Sequence, residues 1–536
     1  MAALEILVLV GAVIVGGGYL ADRLKIAGPL ILMAIGAILS FVQVLPVINL
    51  PAQLVLLLFL PALLYWESLT TSLREIHANR RSIAMLGVGL VVVTAAAVAW
   101  LGHWWGLSWP MAWALGAVVA PTDATAISAV AGRLPRRTLT TLKAESLIND
   151  GTALVIYAVA VGVTVGEQTP SALGLALRGL WSYAGGIAIG VLVGVLVVQL
   201  RKRLDDSRLE NSLGVLTPFL AYLPAEQVQA SGVVAVVTCG LAISQAGPRI
   251  IAAGTRQQAM GFWQVSSYLL NSALFVLIGL QVRSILSAVN GSSMAGALAL
   301  GVGTGFLVIL VRLMWLYVVP YATRLLTRRP PPEGYRVRAR HRLPIAWAGF
   351  RGAVSLAAAL GLPLTTTSGQ NLPNRNLVIL VTFVVIVITL VVQGLTMPRA
   401  ILWARLPEDP TQQSEILTAQ RTMALAAKES LDAHMSDQDA HERVGEQLHA
   451  ELDLELHRLE QASQDQNASA NLGSESSGGD DVAAEQRVRA ALLGDQRDAL
   501  VQLRDDGIID DIVLRQIQVL LDAEEIRVVD GLSPTI

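Results

Sequence analysis

The stretch Glu145-Ser146-Leu147-Ile148-Asn149-Asp150-Gly151-Thr152 sets two carboxylates and an amide inside a segment that is otherwise apolar enough to cross a bilayer. An ionised side chain at the bilayer centre costs roughly 2.5–3.5 kcal/mol on insertion scales, so such residues are paired, hydrated or functional. On a helix Ser146 and Asp150 stand one turn apart, as do Glu145 and Asn149, which divides the stretch into two neighbouring sectors. The Ser146–Asp150 sector offers the oxygen ligands that a monovalent cation such as Na⁺ takes. No His or Cys stands nearby for a transition metal.

The rest of the chain reads as a polytopic, all-α membrane protein. Of its 536 residues 53% are hydrophobic and 15% charged, with a mean hydropathy of +0.56, too apolar for a soluble domain of this length. The one cysteine, Cys239, lies in an apolar run and excludes a disulfide framework or a cysteine metal site. Met1-Ala2-Ala3-Leu4-Glu5 carries no basic residue ahead of the apolar run to Leu20, so the spacing predicts an uncleaved first span, not a signal peptide. With about 20 apolar residues per span, thirteen spans are predicted, centred near residues 12, 34, 58, 94, 121, 152, 188, 217, 238, 271, 305, 355 and 389. Basic residues cluster in alternate loops: Arg23 and Lys25, Arg80 and Arg81, Arg136 and Arg137, Arg201 to Arg208, Arg249 and Arg256, and Arg324 to Arg342. By the positive-inside rule the amino terminus is then outside and the carboxyl terminus cytoplasmic, in the cell (inner) membrane.

Two spans carry residues that break helices. Pro121-Thr122-Asp123-Ala124-Thr125 removes a backbone donor at proline and supplies side chains that compete for backbone hydrogen bonds. Gly349-Phe350-Arg351-Gly352 sets an arginine between two glycines in the twelfth span. The fifth and twelfth spans correspond if spans one to six and eight to thirteen are two copies of opposite orientation. Interrupted helices in equivalent places of inverted repeats point to a transporter binding site at mid-membrane. Arg351 needs a buried partner, and Glu145 is the expected one. Asp123 either caps a half-helix or reaches the ion. Arg312, in the eleventh span, is expected to snorkel or to meet a helix end.

Beyond residue 403 the composition changes. From Pro407 onward there are 28 acidic against 10 basic residues, which divides the chain into a membrane domain over 1–403 and a soluble acidic tail over 404–536. Residues 412–462 suit one long polar helix, with His434, His441, His449 and His457 as a candidate pH-sensitive stripe. Residues 463–481 read as a flexible linker, and two shorter helices follow, interrupted at Asp505-Asp506-Gly507, the second starting at Ile508. The tail is expected to regulate transport, docking on the arginine-rich loop from Arg324 to Arg342.

Pro121-Thr122-Asp123, Glu145 through Thr152, Leu60-Pro61-Ala62-Leu63-Leu64-Tyr65-Trp66-Glu67 and Gly349-Phe350-Arg351-Gly352-Ala353-Val354-Ser355 together resemble the cation:proton antiporter-1 family of sodium/proton exchangers, across nearly the whole membrane domain. The resemblance implies thirteen helices in a homodimer, with a core domain that moves against a dimerisation domain. It makes Asp150 the carboxylate that binds Na⁺ and H⁺ alternately, with Thr122, Ser146 and Asp123 around it. It makes Glu145 and Arg351 a structural ion pair, and Glu67 a third-helix acid near the ion, although Ala62 and Trp66 depart from the family pattern. Asn149 fills a position that is Asp in electrogenic relatives, which implies electroneutral one-for-one exchange.

Competition of H⁺ and Na⁺ for one carboxylate couples the two fluxes, because an empty carboxylate would have to cross a low-dielectric barrier as a charge. No cofactor, enzymatic activity or nucleic-acid partner is expected; the partners are Na⁺ (or Li⁺ or K⁺), H⁺ and the bilayer. K⁺/H⁺ exchange at the same site is the nearest alternative. An intramembrane aspartyl protease would use Asp123 and Asp150 as a dyad, but Gly-x-Gly-Asp is missing. A cation channel would need a carbonyl-rich filter, which the sequence does not carry.

Overall fold

Prolines and glycines between apolar runs decide where the helices of this chain start and stop. The computed structural model describes residues 2–42, 52–123, 134–166, 171–204, 206–287, 291–327, 339–406, 410–435, 442–464 and 482–532. Among them the regular structure is helical, with one isolated β-bridge, Thr365–Asn371. The first elements are α1 (Ala2–Leu24), α2 (Gly28–Ser40), α3 (Ala52–Thr70), the short α4 (Leu73–Ala78), α5 (Arg80–Trp104), α6 (Trp109–Val119) and α7 (Arg136–Val165). Next come α8 (Ala172–Arg201), α9 (Ser207–Gln227), α10 (Gly232–Ile250), α11 (Ala253–Leu280), α12 (Gly291–Thr327), the half-helices α13 (Leu343–Trp347) and α14 (Ala353–Leu360), and α15 (Arg375–Ala404).

Local chemistry accounts for many of these ends. Proline in the first turn opens α2, α6 and α13, where its missing N–H costs nothing. Serine side chains cap α8 and α10, Ser171 accepting from Gly174 N at 3.1 Å and Ser231 from Val234 N at 3.2 Å. Eight helices are long and apolar enough to cross a bilayer, and Gly28–Ser40, Leu57–Thr70 and Trp109–Val119 are shorter apolar ones. Val15, Leu173 and Trp104, each about 70% exposed, lie on an outer surface suited to lipid and not to water.

Two apolar cores flank the middle of the membrane domain. One gathers Leu115, Val119, Leu300, Leu356 and Val385 from α6, α12, α14 and α15, and the other gathers Leu64, Tyr65, Leu147, Val236 and Trp263 from α3, α7, α10 and α11. Both α5 and α15 contain a π-helical turn, at Met85–Leu90 and Thr389–Gln393. Such turns free backbone groups for other partners. Thr152 Oγ1 uses one, donating to Gly87 O at 2.9 Å.

The tail forms α16 (Pro410–Met435), α17 (Glu442–Gln464), α18 (Val482–Asp505) and α19 (Asp511–Leu532). The single helix expected over 412–462 is corrected to two that fold back on each other: Lys428 bonds Asp453, and Arg421 lies 3.4 Å from Glu460. One straight helix would leave Ala427, Leu431, Leu448 and Leu452 in water, whereas the hairpin buries them with Leu492. The hairpin also disrupts the histidine stripe, since His449 pairs across it with Asp432 at 3.0 Å. His441 and the linker residues 465–481 lie outside the described residues. Gly507 turns the chain after α18 with φ +72°, a conformation that costs glycine little. The last helix starts at Asp511 and not at Ile508, because Asp510 Oδ1 accepts from Ile512 N at 2.9 Å and acts as its cap.

Polar contacts join the tail to the ends of α3, α10 and α11. Ser72, whose hydroxyl caps α4, donates to Asp510 Oδ2 at 2.8 Å. Arg515 donates to Thr70 O at 2.7 Å, Arg504 to Gln245 O at 3.1 Å, and Arg256 grips Asp522 at 2.7 and 2.8 Å. Of the arginine-rich stretch expected to receive the tail, residues 328–338 lie outside the described residues.

Candidate cation-binding site

α6 stops ahead of Pro121 and a helix is interrupted at Gly349–Gly352, as the sequence predicts, while Ala124 and Thr125 of the first expected break lie outside the described residues. α6 ends at Val119 and residues 120–123 are extended or irregular; residues 348–352 are non-helical between α13 and α14. The two segments bond to each other, with Asp123 N donating to Phe350 O at 2.9 Å. Each carries a charge matched to a helix end. Arg351 Nε donates to Val119 O at 2.7 Å, satisfying a carbonyl at the negative end of α6, and its Nη1 donates to Gly349 O at 2.7 Å. The Asp123 carboxylate rests against Gly352, which precedes the positive end of α14.

That last contact has a steric requirement. A Cβ on Gly352 would collide with Asp123 Oδ2, Cγ and Cβ. Gly352→Ala therefore displaces the Asp123 carboxylate. A shift of about 1 Å in a positioned group can cost on the order of 100-fold, so cation-driven proton movement in proteoliposomes is expected to fall at least about tenfold. Wild-type rates for this variant would dissociate Asp123 from the site.

Next to these segments, α7 presents the quoted stretch. Ser146 Oγ donates to Thr122 O at 2.9 Å. Asn149 Nδ2 donates to Thr122 Oγ1 at 2.7 Å, and Thr122 Oγ1 in turn donates to Glu145 Oε1 at 3.3 Å. Asn149 Oδ1 is buried with no hydrogen-bond partner among the described residues. Asp150 is 7% exposed, and no described residue forms a hydrogen bond or ion pair with its carboxylate. It lines a cavity of about 40 Å³ together with Glu67, Thr122, Asp123, Ser146 and Ser355, room for a small ion with one or two waters. No group of three or more His, Cys, Asp or Glu side chains able to hold a metal occurs among the described residues, so hydroxyls and carbonyls would have to complete a shell around one carboxylate.

The expected Glu145–Arg351 ion pair is corrected. Glu145 takes a two-pronged bond from Arg312, Nη1 to Oε1 and Nη2 to Oε2 (the latter 3.0 Å), with both side chains 1% exposed. Arg312 also donates to Ile345 O at 3.3 and 3.2 Å, tying α12 to the half-helix α13. The geometry of the two arginines explains the exchange of roles: Arg351 sits within the break and spends its donors on carbonyls exposed there, whereas Arg312 reaches α7 from a neighbouring helix with its planar fork intact. Also beyond the sequence reading were Asn271 of α11, which lines the cavity, and Thr389, whose hydroxyl accepts from Arg351 N at 3.2 Å. A signal existed for Asn271: it is an amide in an apolar helix. Thr389 gave none.

Comparison with known proteins decides the family. The profile described as "Sodium/hydrogen exchanger, transmembrane" matches residues 9–403. The chain belongs to the sodium/hydrogen exchanger family. The exchanger is 41% identical over 533 residues to an uncharacterized Na(+)/H(+) exchanger of Mycobacterium tuberculosis, covering 98% of this chain and 96% of the relative. It is 30% identical over 376 residues to the Na(+)/H(+) antiporter ApNhaP of Aphanothece halophytica, covering 69% of this chain and 68% of that one. Its fold is similar to that of the sodium proton antiporter MjNhaP1 of Methanocaldococcus jannaschii, with a TM-score of 0.58 at 19% identity over 76% of this chain and all (100%) of the other. The exchanger is thus a membrane transporter and not an enzyme, which sets aside the protease reading of Asp123 and Asp150.

Proposed function

We propose that this chain exchanges Na⁺ for H⁺, one for one, by alternating access, with Asp150 holding either ion in turn. The observation that carries the reading is a buried carboxylate with no partner among the described residues, in a cavity of about 40 Å³ whose other walls supply oxygens. Thr122, Ser146 and Asp123 complete the cation's surroundings, and Glu67 borders it. Asn149 keeps the site at one exchangeable charge, because its amide occupies a place where a second carboxylate would need a second cation. Glu145 with Arg312 holds α7 against α12, and Arg351 fastens the two interrupted segments. The moving body is these segments with α7, and the partner body lies on α3, α10 and α11.

Thirteen spans in two inverted sets, a homodimer, an external amino terminus, a cytoplasmic tail with a regulatory role, and residence in the plasma membrane belong to the same proposal. The carboxyl-proximal helices dock where α3 ends, close in sequence to Glu67, which supports a tail that senses or restrains α3. The test is proton-flux dequenching in proteoliposomes with Na⁺, Li⁺ or K⁺ gradients, the membrane potential clamped at zero or inside-negative. One-for-one exchange moves no net charge, so the Na⁺-driven rate is expected to be the same at both potentials. A rate that follows the potential would refute the stoichiometry, and a response to K⁺ alone would refute the substrate.

A further inference from the structure

Where the tail meets the membrane helices there is a second cavity, of about 470 Å³, more than ten times larger than the first. Its walls come from α3, α8, α9, α10, α11 and α19, and they combine aromatic rings with arginines. One wall is aromatic: Trp66 stacks on Trp263 at 6.5 Å and 10°, and Phe262 meets Trp263 edge-on at 5.6 Å. Four arginines also line it, Arg201, Arg208, Arg256 and Arg515, against two acids, Asp511 and Asp522.

Both acids are already engaged. Asp522 is gripped by Arg256, and Asp511 accepts from Leu73 N at 3.1 Å and from Gln245 Nε2 at 3.2 Å. Arg515 sits on the carbonyls that end α3. Arg201 lies 3.6 Å from Glu210, yet its Nε is buried without a hydrogen-bond partner, and so is Nε2 of Gln518, a cavity-lining residue only 3% exposed. A buried donor left unmade costs about 1–3 kcal/mol. Two such donors and the exposed Arg208 describe a seat for anionic oxygens, and the aromatic wall of the same cavity describes a seat for hydrocarbon. Water would satisfy the donors but not the aromatic wall. Trp66 stands one turn from the end of α3, and tryptophan near the end of a membrane helix suits the headgroup boundary, where an amphiphile with an anionic head is at hand.

We propose that this cavity binds one anionic phospholipid, its phosphate oxygens accepting from Arg201, Arg208 and Gln518 and its proximal acyl chain lying on Trp66, Phe262 and Trp263. Because Gln518 belongs to α19, the lipid joins the tail to the membrane domain. The inference is independent of which cation the exchanger carries.

The test uses the full-length protein in nanodiscs of phosphatidylcholine with or without phosphatidylglycerol, read by native mass spectrometry after release. One phosphatidylglycerol per chain is expected to stay bound while phosphatidylcholine does not. Two variants probe the seat: Arg208→Glu reverses an exposed charge, and Ser212→Trp fills the cavity without changing charge. Each is expected to lower retention at least about tenfold, whereas Arg178→Glu, on exposed surface elsewhere, leaves it unchanged. Thermal melting confirms that the variants fold. Equal retention of both lipids, or wild-type retention in the two seat variants, overturns the proposal. So does thermal stabilisation of the detergent-solubilised protein by inorganic phosphate equal to that by phosphatidylglycerol, since a free anion would then suffice.

Discussion

Asp150→Asn is expected to reduce cation-driven proton movement to the background of protein-free vesicles while leaving the melting temperature of the purified protein unchanged or raised. Asn keeps the shape of the side chain and removes both the proton-binding site and the charge that attracts a cation. The folded structure loses little, because no described residue hydrogen-bonds or pairs with this carboxylate. It gains relief from burying a charge. Asp123→Asn is the informative comparison: Asp123 lies against Gly352 at the start of a half-helix, so its loss should weaken cation affinity without erasing exchange. Uptake of sodium that still depends on pH in Asp150→Asn would remove the central residue of the proposed mechanism.

Arg312→Met carries the second large effect, and it is one of stability. It leaves Glu145, 1% exposed, without its two-pronged partner, and breaking a buried ion pair by removing one member costs on the order of 3–5 kcal/mol. Purified Arg312→Met is expected to melt well below wild type and to lose its monodisperse elution. Glu145→Gln should be destabilising too. The double variant Glu145→Gln/Arg312→Met should recover most of the loss, since no lone charge remains. The same cycle run with Arg351→Met should show less than half the coupling to Glu145, because Arg351 is held by Val119 and Gly349 carbonyls. Equal coupling in the two cycles would restore Arg351 as Glu145's main partner.

The two arginines also mark where reading the sequence succeeds and where it stops. Pro121 and the Gly349–Gly352 segment break helices through their own backbone chemistry, so both interruptions were legible from single residues. The separation of Ser146 and Asp150 from Glu145 and Asn149 was legible for the same reason, since helical spacing is local. Which arginine answers Glu145 depends on how α12 crosses α7, and no local rule supplies that crossing. The π-helical turns, the approach of Asn271 from α11 and the seat of α19 on Ser72 are likewise products of tertiary packing. The tail hairpin is an intermediate case. Its leucines and alanines announce an apolar stripe, but whether the stripe meets another helix or its own continuation is not set by that stripe.

The hydrogen bond from Asp123 N to Phe350 O bears on the thermodynamics of the whole cycle. It ties the two interruptions together, so in the proposed alternating-access cycle the oxygens of Thr122 and Asp123 would travel as one unit with the Arg351 segment, while Glu67 of α3 stays with the other body. An exchanger of that kind has no built-in rectification: the sodium and proton gradients alone set the direction of net flux, and reversing them reverses it.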